Sequence, residues 1–306
     1  MPRSLIAVVG AGALALAAAS AGPGAPGARS WKQAAPLPVP RSEVAAATLG
    51  SELVIAGGFL ADGRSSKRVD AYSPARNRWR RLADLPVAVH HAMAASDGRR
   101  LYVVGGYGAP TRAFVLVRGR WQRLPRLPEP RAAAGAAIVG RNLYVVGGVA
   151  RGGLAQSALA FDRSSRRWAR IPGPKPREHL GVSAQGGRVY AVAGREGGTN
   201  FDAFQVYSPA RRSWASLPRV PETRGGTDSA AVGALLVSAG SESAAGTSAA
   251  VYAFDVRTRR WRRLPDLPTA RHGLGVLGFA GRVYAIGGGP TPGLSVSSAN
   301  EYLQLR

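Results

Sequence analysis

The sequence predicts an all-β protein folded as a six-bladed β-propeller. Three observations lead to this fold class: Trp recurs every 42 to 48 residues, an apolar segment ending in Gly-Gly or Ala-Gly follows each Trp, and a Pro comes shortly after each Trp. A period of about 40–50 residues is typical of one four-stranded propeller blade. The Trp residues occupy positions 31, 79, 121, 168, 214 and 261.

Each repeat contains four short segments that suit β-strands. A small, Ala- and Gly-rich segment, such as residues 134–139, suits an innermost strand because blades crowd together near the axis. The next segment, such as residues 143–146, is rich in β-formers and ends at the glycine pair, which permits backbone angles that a Cβ forbids. A third segment carries an aromatic residue, and the Trp then opens an outer strand that a Pro ends.

The glycine pair and the chain ends depart from this regular pattern. Ala193 and Ala239 replace the first Gly of the pair in the fourth and fifth repeats, and we expect the fold to tolerate this mild change. Trp31 has no inner strands before it, and no Trp follows Tyr302 in the last repeat. We therefore predict that the N-terminal strand supplies the outer strand of the last blade, which closes the ring and removes exposed sheet edges.

Six repeats in register over residues 31–306 resemble the Kelch repeat family. The shared features are the Gly-Gly after an apolar strand, the spaced aromatic and Trp, and an Arg before the inner strand. A WD-type propeller is disfavoured because no repeat carries a Trp-Asp ending. The resemblance implies that the loops from outer to inner strands, together with the loops after Gly-Gly, form one mouth of a central channel.

The N-terminal segment has the features of an export signal. Arg3 precedes an apolar run over residues 5–19, and Ala19-Ser20-Ala21 fits a cleavage site. We therefore predict a signal peptide at 1–21, a Gly/Pro-rich linker at 22–30, and a secreted, periplasmic or cell-surface protein without a transmembrane span after cleavage, similar to secreted bacterial Kelch proteins. An uncleaved N-terminal anchor is the alternative. The absence of Cys excludes disulfides and a lipid-modified N-terminal Cys.

The charge of the chain is strongly positive, at +24 with a pI of about 11.6. Such a charge favours contact with polyanions, including acidic glycans and anionic cell-wall polymers. Many Arg residues, however, lie in the predicted turns between third and fourth strands, which suggests a charge spread over the rim. No basic run is interleaved with aromatics, so specific nucleic-acid binding is not expected.

Arg and His side chains are predicted to line the mouth. Five Arg residues follow a Pro by three positions in the outer-to-inner loops, and all four His residues lie in the same loops. A ring of guanidinium groups would attract an anionic ligand, although each Arg could instead bond loop carbonyls or a neighbouring acid. The predicted mouth residues are Arg41, His90, His91, Arg131, Arg177, His179, Arg224, Arg271 and His272.

The imidazoles could converge to hold a metal ion or to move protons, or could simply cap turns. No short His-x-x-x-His spacing is present, so we predict no metal and no cofactor. Candidate acids near the mouth are Glu43, Glu178 and Asp228. Glu178 lies between Arg177 and His179, and Glu178 and His179 are therefore the weak candidates for acid–base catalysis.

Two functions remain after these observations. We favour a non-enzymatic scaffold that binds a protein partner or an acidic glycan at the Arg- and His-lined mouth, without a prediction of oligomeric state. The alternative is an enzyme acting on an acidic sugar, similar to sialic-acid mutarotases (N-acetylneuraminate epimerases), which are also exported six-bladed Kelch propellers. The chain also resembles the Kelch-type domain of galactose oxidase, but that copper chemistry needs a Tyr–Cys crosslink and the chain has no Cys.

Overall fold

The computed structural model describes residues 30–305, and its regular elements in this part of the chain are all β-strands. Six antiparallel four-stranded sheets follow one another around a central channel, and each is one blade. The all-β, six-bladed propeller is therefore confirmed. We number the blades 1 to 6 by their inner strands, which are Ala45–Leu49, Met93–Ser96, Gly135–Val139, Gly181–Gln185, Asp228–Val232 and Gly275–Phe279.

The other three strands of each blade follow in chain order away from the channel. The second strands are Glu52–Ala56, Leu101–Val104, Asn142–Val146, Arg188–Val192, Leu235–Ala239 and Arg282–Ile286. The third strands are Val69–Ser73, Ala113–Val117, Ser157–Asp162, Phe204–Ser208, Val251–Asp255 and Asn300–Gln304. The outer strands are Arg78–Arg81, Arg120–Arg123, Arg167–Pro172, Ser213–Ser216 and Arg260–Leu264 in blades 1 to 5, and Lys32–Gln33 in blade 6.

Short two-stranded hairpins extend three of the loops after the glycine pairs. They pair Val149–Ala150 with Gly153–Leu154, Arg195–Glu196 with Thr199–Asn200, and Glu242–Ser243 with Gly246–Thr247. The glycine pair itself is tight: a Cβ on Gly58 would lie 2.6 Å from the carbonyl oxygen of Ser42. Ala193 adopts the left-handed conformation of a first Gly, with φ of 54°, whereas Ala239 remains within its strand.

The core consists of six apolar layers, one between each pair of neighbouring blades. Between blades 2 and 3, for example, buried Tyr102 and Val104 pack with Leu143 and Phe161. The small residues of the inner strands allow the blades to approach closely, since a Cβ on Gly135 would collide with Val182 of blade 4. Burial of this apolar surface is the main stabilising contribution to the fold.

Every Trp also joins its blade to the preceding one by a hydrogen bond. The indole N–H donates to a backbone carbonyl of the preceding blade over 2.8 to 2.9 Å. The regular spacing of Trp in the sequence therefore reflects this contact between blades. The acceptors for the six Trp residues in chain order are Pro265, Ala35, Ala83, Pro125, Pro172 and Pro218.

The two ends of the described chain close the ring in blade 6. Lys32 pairs with Tyr302, and Gln33 pairs with Glu301, in antiparallel register. The indole of Trp31 then reaches back to the Pro265 carbonyl of blade 5 over 2.8 Å. The predicted closure by the N-terminal strand is thus confirmed.

The predicted signal peptide at 1–21 and nearly all of the predicted linker at 22–30 lie outside the described residues. Within residues 30–305, no helix has the length and apolar character needed to cross a membrane.

Candidate functional site at the mouth of the channel

The outer-to-inner loops and the loops after the glycine pairs meet at the same end of the channel. Isolated antiparallel bridges join the two kinds of loop at several blades, which fixes their relative positions. The bridged pairs include Ser42 with Phe59, His90 with Tyr107, Ala132 with Val149, Glu178 with Arg195, and His272 with Gly289. We call this end of the channel the mouth.

Six equivalent residues, one before each inner strand, form a closed ring of backbone hydrogen bonds at the mouth. Each has a left-handed backbone with φ between 50° and 70°. At five of the six junctions, the N–H of one member donates to the carbonyl of the member in the preceding blade over 2.8 to 3.1 Å. We call these residues the mouth ring, and they are Glu43, His91, Ala133, His179, Gly226 and Gly273.

The sixth junction of the mouth ring lies between blades 6 and 1, where the ring of blades is closed. Here the donor is the N–H of Val44 rather than that of Glu43, and the distance to the Gly273 carbonyl is 3.4 Å. The backbone link is therefore longest where the chain ends meet.

The mouth ring holds the side chains of Glu43, His91 and His179 in a confined space. Non-glycine residues rarely adopt positive φ, and residues that do so persist because the surrounding structure holds them there. The carboxylate of Glu43 extends over Gly273, where an added Cβ would lie 2.6 Å from its Cδ. Gly273 is therefore required at this position to make room for Glu43.

Glu43 is the centre of the site. Its Oε2 lies 3.1 Å from Nε2 of His91 and 3.8 Å from Nε2 of His179. Its Oε1 accepts a 3.1 Å hydrogen bond from Nδ1 of His272, which precedes Gly273 in the loop entering blade 6. Three of the four predicted His residues thus converge on one acid.

His272 is held as an imidazolium. Nδ1 faces the Glu43 carboxylate and Nε2 faces the carbonyl of Thr291 at 3.1 Å; both groups accept, so both ring nitrogens donate. Burial alone would lower the pKa of His272, but the bond to Glu43 and the nearby charges of Glu43 and Glu242 raise it above its ordinary value. Burial would likewise raise the pKa of Glu43, but His91, His272 and His179 together hold it well below its usual range.

His91 and His90 form a pair beside this ion pair. Burial lowers the pKa of His91 to about 4, despite the nearby Glu43, so its imidazole is neutral at pH 7. The Nδ1 atoms of His90 and His91 lie 2.5 Å apart, so one of the two rings donates to the other. His90 is stacked on Phe59, with ring centroids 3.8 Å apart, and lies 5.1 Å from the ring of Tyr107.

His179 lacks a hydrogen bond on both ring nitrogens within the described chain, although both atoms are buried. Its Nδ1 lies 3.0 Å from Oε2 of Glu178, but the direction of approach is not that of a hydrogen bond. Glu178 also accepts a 3.1 Å bond from Nε of Arg195. Burial alone would raise the pKa of Glu178, but His179 and Arg195 lower it, so the carboxylate is charged.

Glu242 is a member of the site that sequence reasoning missed. Its Oε1 accepts a 2.7 Å bond from Arg195 and lies 3.4 Å from Nδ1 of His272. No repeat signal marks Glu242, because it lies in a hairpin after the glycine pair, where the repeats differ in length. The sequence did indicate the central position of Glu43, because Glu43 occupies the same position in its repeat as His91 and His179.

The five predicted mouth arginines require a correction. Their side chains do not line the opening, because all five residues are fully buried within the blades. The alternative reading is confirmed: the guanidinium groups bond loop and strand carbonyls and neighbouring polar side chains. Burial lowers the pKa of Arg41, Arg177 and Arg224 to about 10, which is still high enough to keep them charged.

Each buried Arg ties its outer-to-inner loop to a carbonyl in or directly after the second strand of the same blade. Arg41, Arg177 and Arg271 also bond a side chain of the third strand. Arg41 donates to the Gly57 carbonyl over 3.1 Å and pairs with Asp70 at 2.5 Å. Arg271 pairs with Glu301 over 2.8 Å. The corresponding acceptors are Gly147 and Glu129 for Arg131, Ala193 and Gln205 for Arg177, and Gly240 and Ala250 for Arg224.

Behind the mouth ring, the inner strands enclose a cavity of about 300 Å³. Glu43, His91 and His179 line it, together with the small side chains of all six inner strands. Asp228, the third predicted acid, also lines this cavity. Its carboxylate accepts backbone bonds from Ser229 at 2.7 Å and Val276 at 2.9 Å. Burial raises the pKa of Asp228 to about 7, although these two bonds partly oppose the shift.

Comparison with protein families agrees with this architecture. A family model described as the KLHDC2/KLHL20/DRC7 Kelch-repeats domain matches residues 112–289. A second model, the Kelch motif, matches residues 40–86. No curated protein matches the chain.

Proposed function

Since the chain belongs to the Kelch-repeat domain family, we propose that it is an extracytoplasmic, non-enzymatic binding module that takes up a segment of a partner protein at its mouth. Kelch domains generally mediate protein interactions. Export is proposed from residues 1–21, whose charged start, apolar run and small-residue cleavage site are those of a signal peptide.

The positions of exposed hydrophobic side chains indicate which surface binds the partner. Within residues 30–305, the exposed large hydrophobic side chains are Tyr107, at 39 % exposure, and Leu294, at 55 %. Both lie in loops that follow a glycine pair, at the mouth. Exposed aromatic and apolar side chains at one end of a rigid scaffold are the kind of anchor that protein interfaces use.

A strip of neighbouring loop residues connects these two side chains. Leu294 of blade 6 packs beside Gly63 in the blade 1 loop, where an added Cβ would lie 3.2 Å from its Cδ2. From the same blade 1 loop, Phe59 stacks on His90, which in turn contacts Tyr107 of blade 2. The strip therefore crosses three neighbouring blades and could hold an extended peptide.

The burial of the five arginines favours a protein segment over an acidic glycan. Fixed guanidinium groups at the mouth were the feature that would have selected an acidic sugar, and these groups are engaged inside the blades. The charge of +24 then acts at long range and would speed the approach of an acidic partner.

The test is peptide selection against the protein at physiological salt, using a random peptide library displayed on phage. We expect enriched peptides with an apolar or aromatic anchor. Their affinity should fall at least about 10-fold in the double variant Tyr107→Ala, Leu294→Ala, as expected for interface anchors. The control is Arg211→Ala, which changes an exposed side chain in a turn between third and fourth strands at the opposite end.

Two results would contradict the proposal. The affinity of the peptides could fall as much in Arg211→Ala as in the double variant, or the binding of every peptide could vanish when the salt concentration is raised. Either outcome would mean that attraction by the overall charge explains the binding. A glycan array probed in parallel would reveal selection of one acidic sugar.

A second candidate function is acid–base chemistry on an acidic sugar, as in a sialic-acid mutarotase. His179 favours it, since its buried ring nitrogens lack hydrogen bonds and Nδ1 lies 3.0 Å from Glu178. The test is the rate of anomer exchange of N-acetylneuraminate by NMR. A rate that exceeds that of Glu178→Gln at least about 100-fold would support an enzyme, and equal rates would exclude this activity.

A further inference from the structure

The atoms of the mouth ring that face one another have the chemistry of a metal site. One donor atom from each of Glu43, His91 and His179 lies within 4.8 Å of the other two. Nε2 of His91 and Nε2 of His179 lie 3.1 Å and 3.8 Å from Oε2 of Glu43. Two imidazoles and one carboxylate are a donor set that suits Zn²⁺ and similar divalent transition metals, whereas Ca²⁺ and Mg²⁺ prefer oxygen donors alone. We propose that Glu43, His91 and His179 form a binding site for a divalent transition-metal ion, of which Zn²⁺ is the expected occupant.

His179 supplies an independent reason for a ligand at this point. Its side chain is 9 % exposed, and neither ring nitrogen has a hydrogen bond within the described chain. Buried polar atoms are usually paired, so a buried imidazole with both nitrogens free needs a partner. A metal ion at Nε2, with Nδ1–H turned towards Glu178, would satisfy both atoms.

The opposite atom of each proposed ligand lies beside a group that would orient it in the metal-bound state. Oε1 of Glu43 is bonded by His272 at 3.1 Å. Nδ1 of His91 lies 2.5 Å from Nδ1 of His90, and Nδ1 of His179 lies 3.0 Å from Glu178. Metal-ligating His residues typically donate their second N–H to such groups, which fixes the tautomer and directs the other nitrogen to the metal.

The proton positions required by the metal are consistent with these contacts. A bound ion at Nε2 leaves the proton of each ring on Nδ1. His179 would then donate towards the Glu178 carboxylate, and His91 would donate to the neutral ring of His90. Arg195 holds Glu178 from its other oxygen at 3.1 Å, so this carboxylate is itself positioned.

The backbone is preorganised for binding. The three ligands occupy equivalent positions of the mouth ring, where backbone hydrogen bonds of 2.8 to 3.1 Å link neighbouring blades. The two imidazole nitrogens now lie 3.1 Å and 3.8 Å from Oε2 of Glu43. Small side-chain rotations would bring all three atoms into contact with one ion. All three residues line the cavity of about 300 Å³, which leaves room for a fourth ligand from water or a bound molecule.

The experiment measures Zn²⁺ binding to the chain purified without a polyhistidine tag, after chelation and dialysis. After Zn²⁺ is added back and the excess is removed, we expect about one bound Zn²⁺ per chain by elemental analysis. Calorimetric titration should show an affinity that His179→Ala weakens more than about 100-fold. Co²⁺ substituted for Zn²⁺ should give the visible absorption bands of a low-coordinate nitrogen–oxygen site, and these bands should be absent in the variant.

Glu52→Gln is the control, because it removes a carboxylate that pairs with Arg80 at the other end of the blade and touches none of the proposed ligands. Its affinity for Zn²⁺ should stay within about 3-fold of that of the unaltered protein. A loss in Glu52→Gln equal to that in His179→Ala would overturn the assignment. So would the absence of Zn²⁺ binding by the unaltered protein.

A second variant keeps the test decisive if His179→Ala does not fold. Glu178→Gln leaves all three ligands in place and removes only the carboxylate that faces Nδ1 of His179. It should weaken Zn²⁺ binding about 10- to 100-fold. An unchanged affinity in Glu178→Gln, with native circular dichroism, would contradict the orientation of His179 proposed here.

Discussion

Oε1 of Glu43 accepts a 3.1 Å hydrogen bond from Nδ1 of His272, a residue 229 positions later in the chain. Glu43 enters blade 1 and His272 enters blade 6, so this ion pair spans the junction at which the propeller closes. At the same junction the backbone bond from Val44 to Gly273 is 3.4 Å long, the longest link around the mouth. The side-chain ion pair therefore reinforces the closure where the backbone ring is weakest.

Removing either partner of this pair should destabilise the protein. Glu43→Gln leaves the buried His272 imidazolium without its counter-charge, and we expect a loss of about 3 kcal/mol in the free energy of unfolding at pH 7. His272→Gln should cost a comparable amount. Urea denaturation of both single variants and of the double variant measures the coupling between the two residues.

The double variant should lose clearly less stability than the sum of the two single losses. Strict additivity would mean that the two side chains do not interact in solution. The cycle is best measured without added metal ions, so that metal binding does not contribute to the stability of the unaltered protein.

The contribution of His272 should depend on pH in a defined direction. Its pKa is raised in the folded protein above the reference value of 6.5, so its stabilising contribution is fully present below about pH 6.5 and declines as pH rises through the higher folded pKa. The difference in Tm between the unaltered protein and His272→Gln should therefore shrink at alkaline pH. A difference that grows above pH 7 would contradict the assignment of an imidazolium.

The fold was predictable from the sequence because every blade meets the same packing requirement. Each Trp packs its partly buried ring between two blades and donates its N–H to a carbonyl of the preceding blade, so this packing requirement leaves a periodic signal in the sequence. The displaced Trp31 then predicted the ring closure without any long-range information. Because the same contact between blades recurs in every repeat, it appears in the sequence as a regular spacing of residues that can be recognised without a structure.

The site was only partly predictable. The four His residues stood out because their residue type is rare in this chain, and three of them do converge. The Arg residues were placed in the correct loops, but a loop position does not reveal the direction of a side chain. Residues such as Arg271 turn back into the blade, and the residue two positions later, in left-handed conformation, meets the channel instead.

Arg271→Ala tests the corrected role of the buried arginines. Arg271 is fully buried and pairs with nearly buried Glu301 over 2.8 Å, so its removal leaves an unpaired buried carboxylate. We expect a loss of about 3–5 kcal/mol in the free energy of unfolding. Arg263→Ala is the matched control: it breaks an exposed pair with Asp266, also 2.8 Å long, and should cost no more than about 1 kcal/mol.

Equal losses in these two variants would show that the pair of Arg271 with Glu301 does not hold the loop to the third strand of the blade. The comparison is informative because both changes remove one Arg and one ion pair of the same length. The two pairs differ chiefly in burial, with side-chain exposure of 0 % for Arg271 and 60 % for Arg263.

Asp228 should make the stability fall as pH rises through the weakly acidic range. Its pKa is raised to about 7 in the folded protein from a reference value of 3.8, so the unfolded chain loses its proton first and folding becomes less favourable between about pH 4 and pH 7. In Asp228→Asn this part of the pH dependence should disappear. Urea midpoints at pH 4, 5.5 and 7 measure it, and parallel profiles of the two proteins would show that Asp228 does not titrate in this range.

Deleting residues 30–35 should open the propeller. The deletion removes the outer strand Lys32–Gln33 and the Trp31 bond to Pro265, and it leaves the strand Asn300–Gln304 with an unpaired edge. Exposed edges promote association, and a ring without its closing strand loses the packing between blades 5 and 6. We expect a lower Tm and concentration-dependent oligomers by light scattering.

The control replaces Lys32 and Gln33 by Ala, because these two side chains are exposed and their backbone pairing survives the change. This variant should keep the Tm of the unaltered protein to within about 2 °C, as expected for surface substitutions. If the deletion variant stays monomeric with an unchanged Tm, then the pairing of Lys32 with Tyr302 does not hold the ring closed. Loss of stability in the Ala variant alone would instead assign the closure to the side chains.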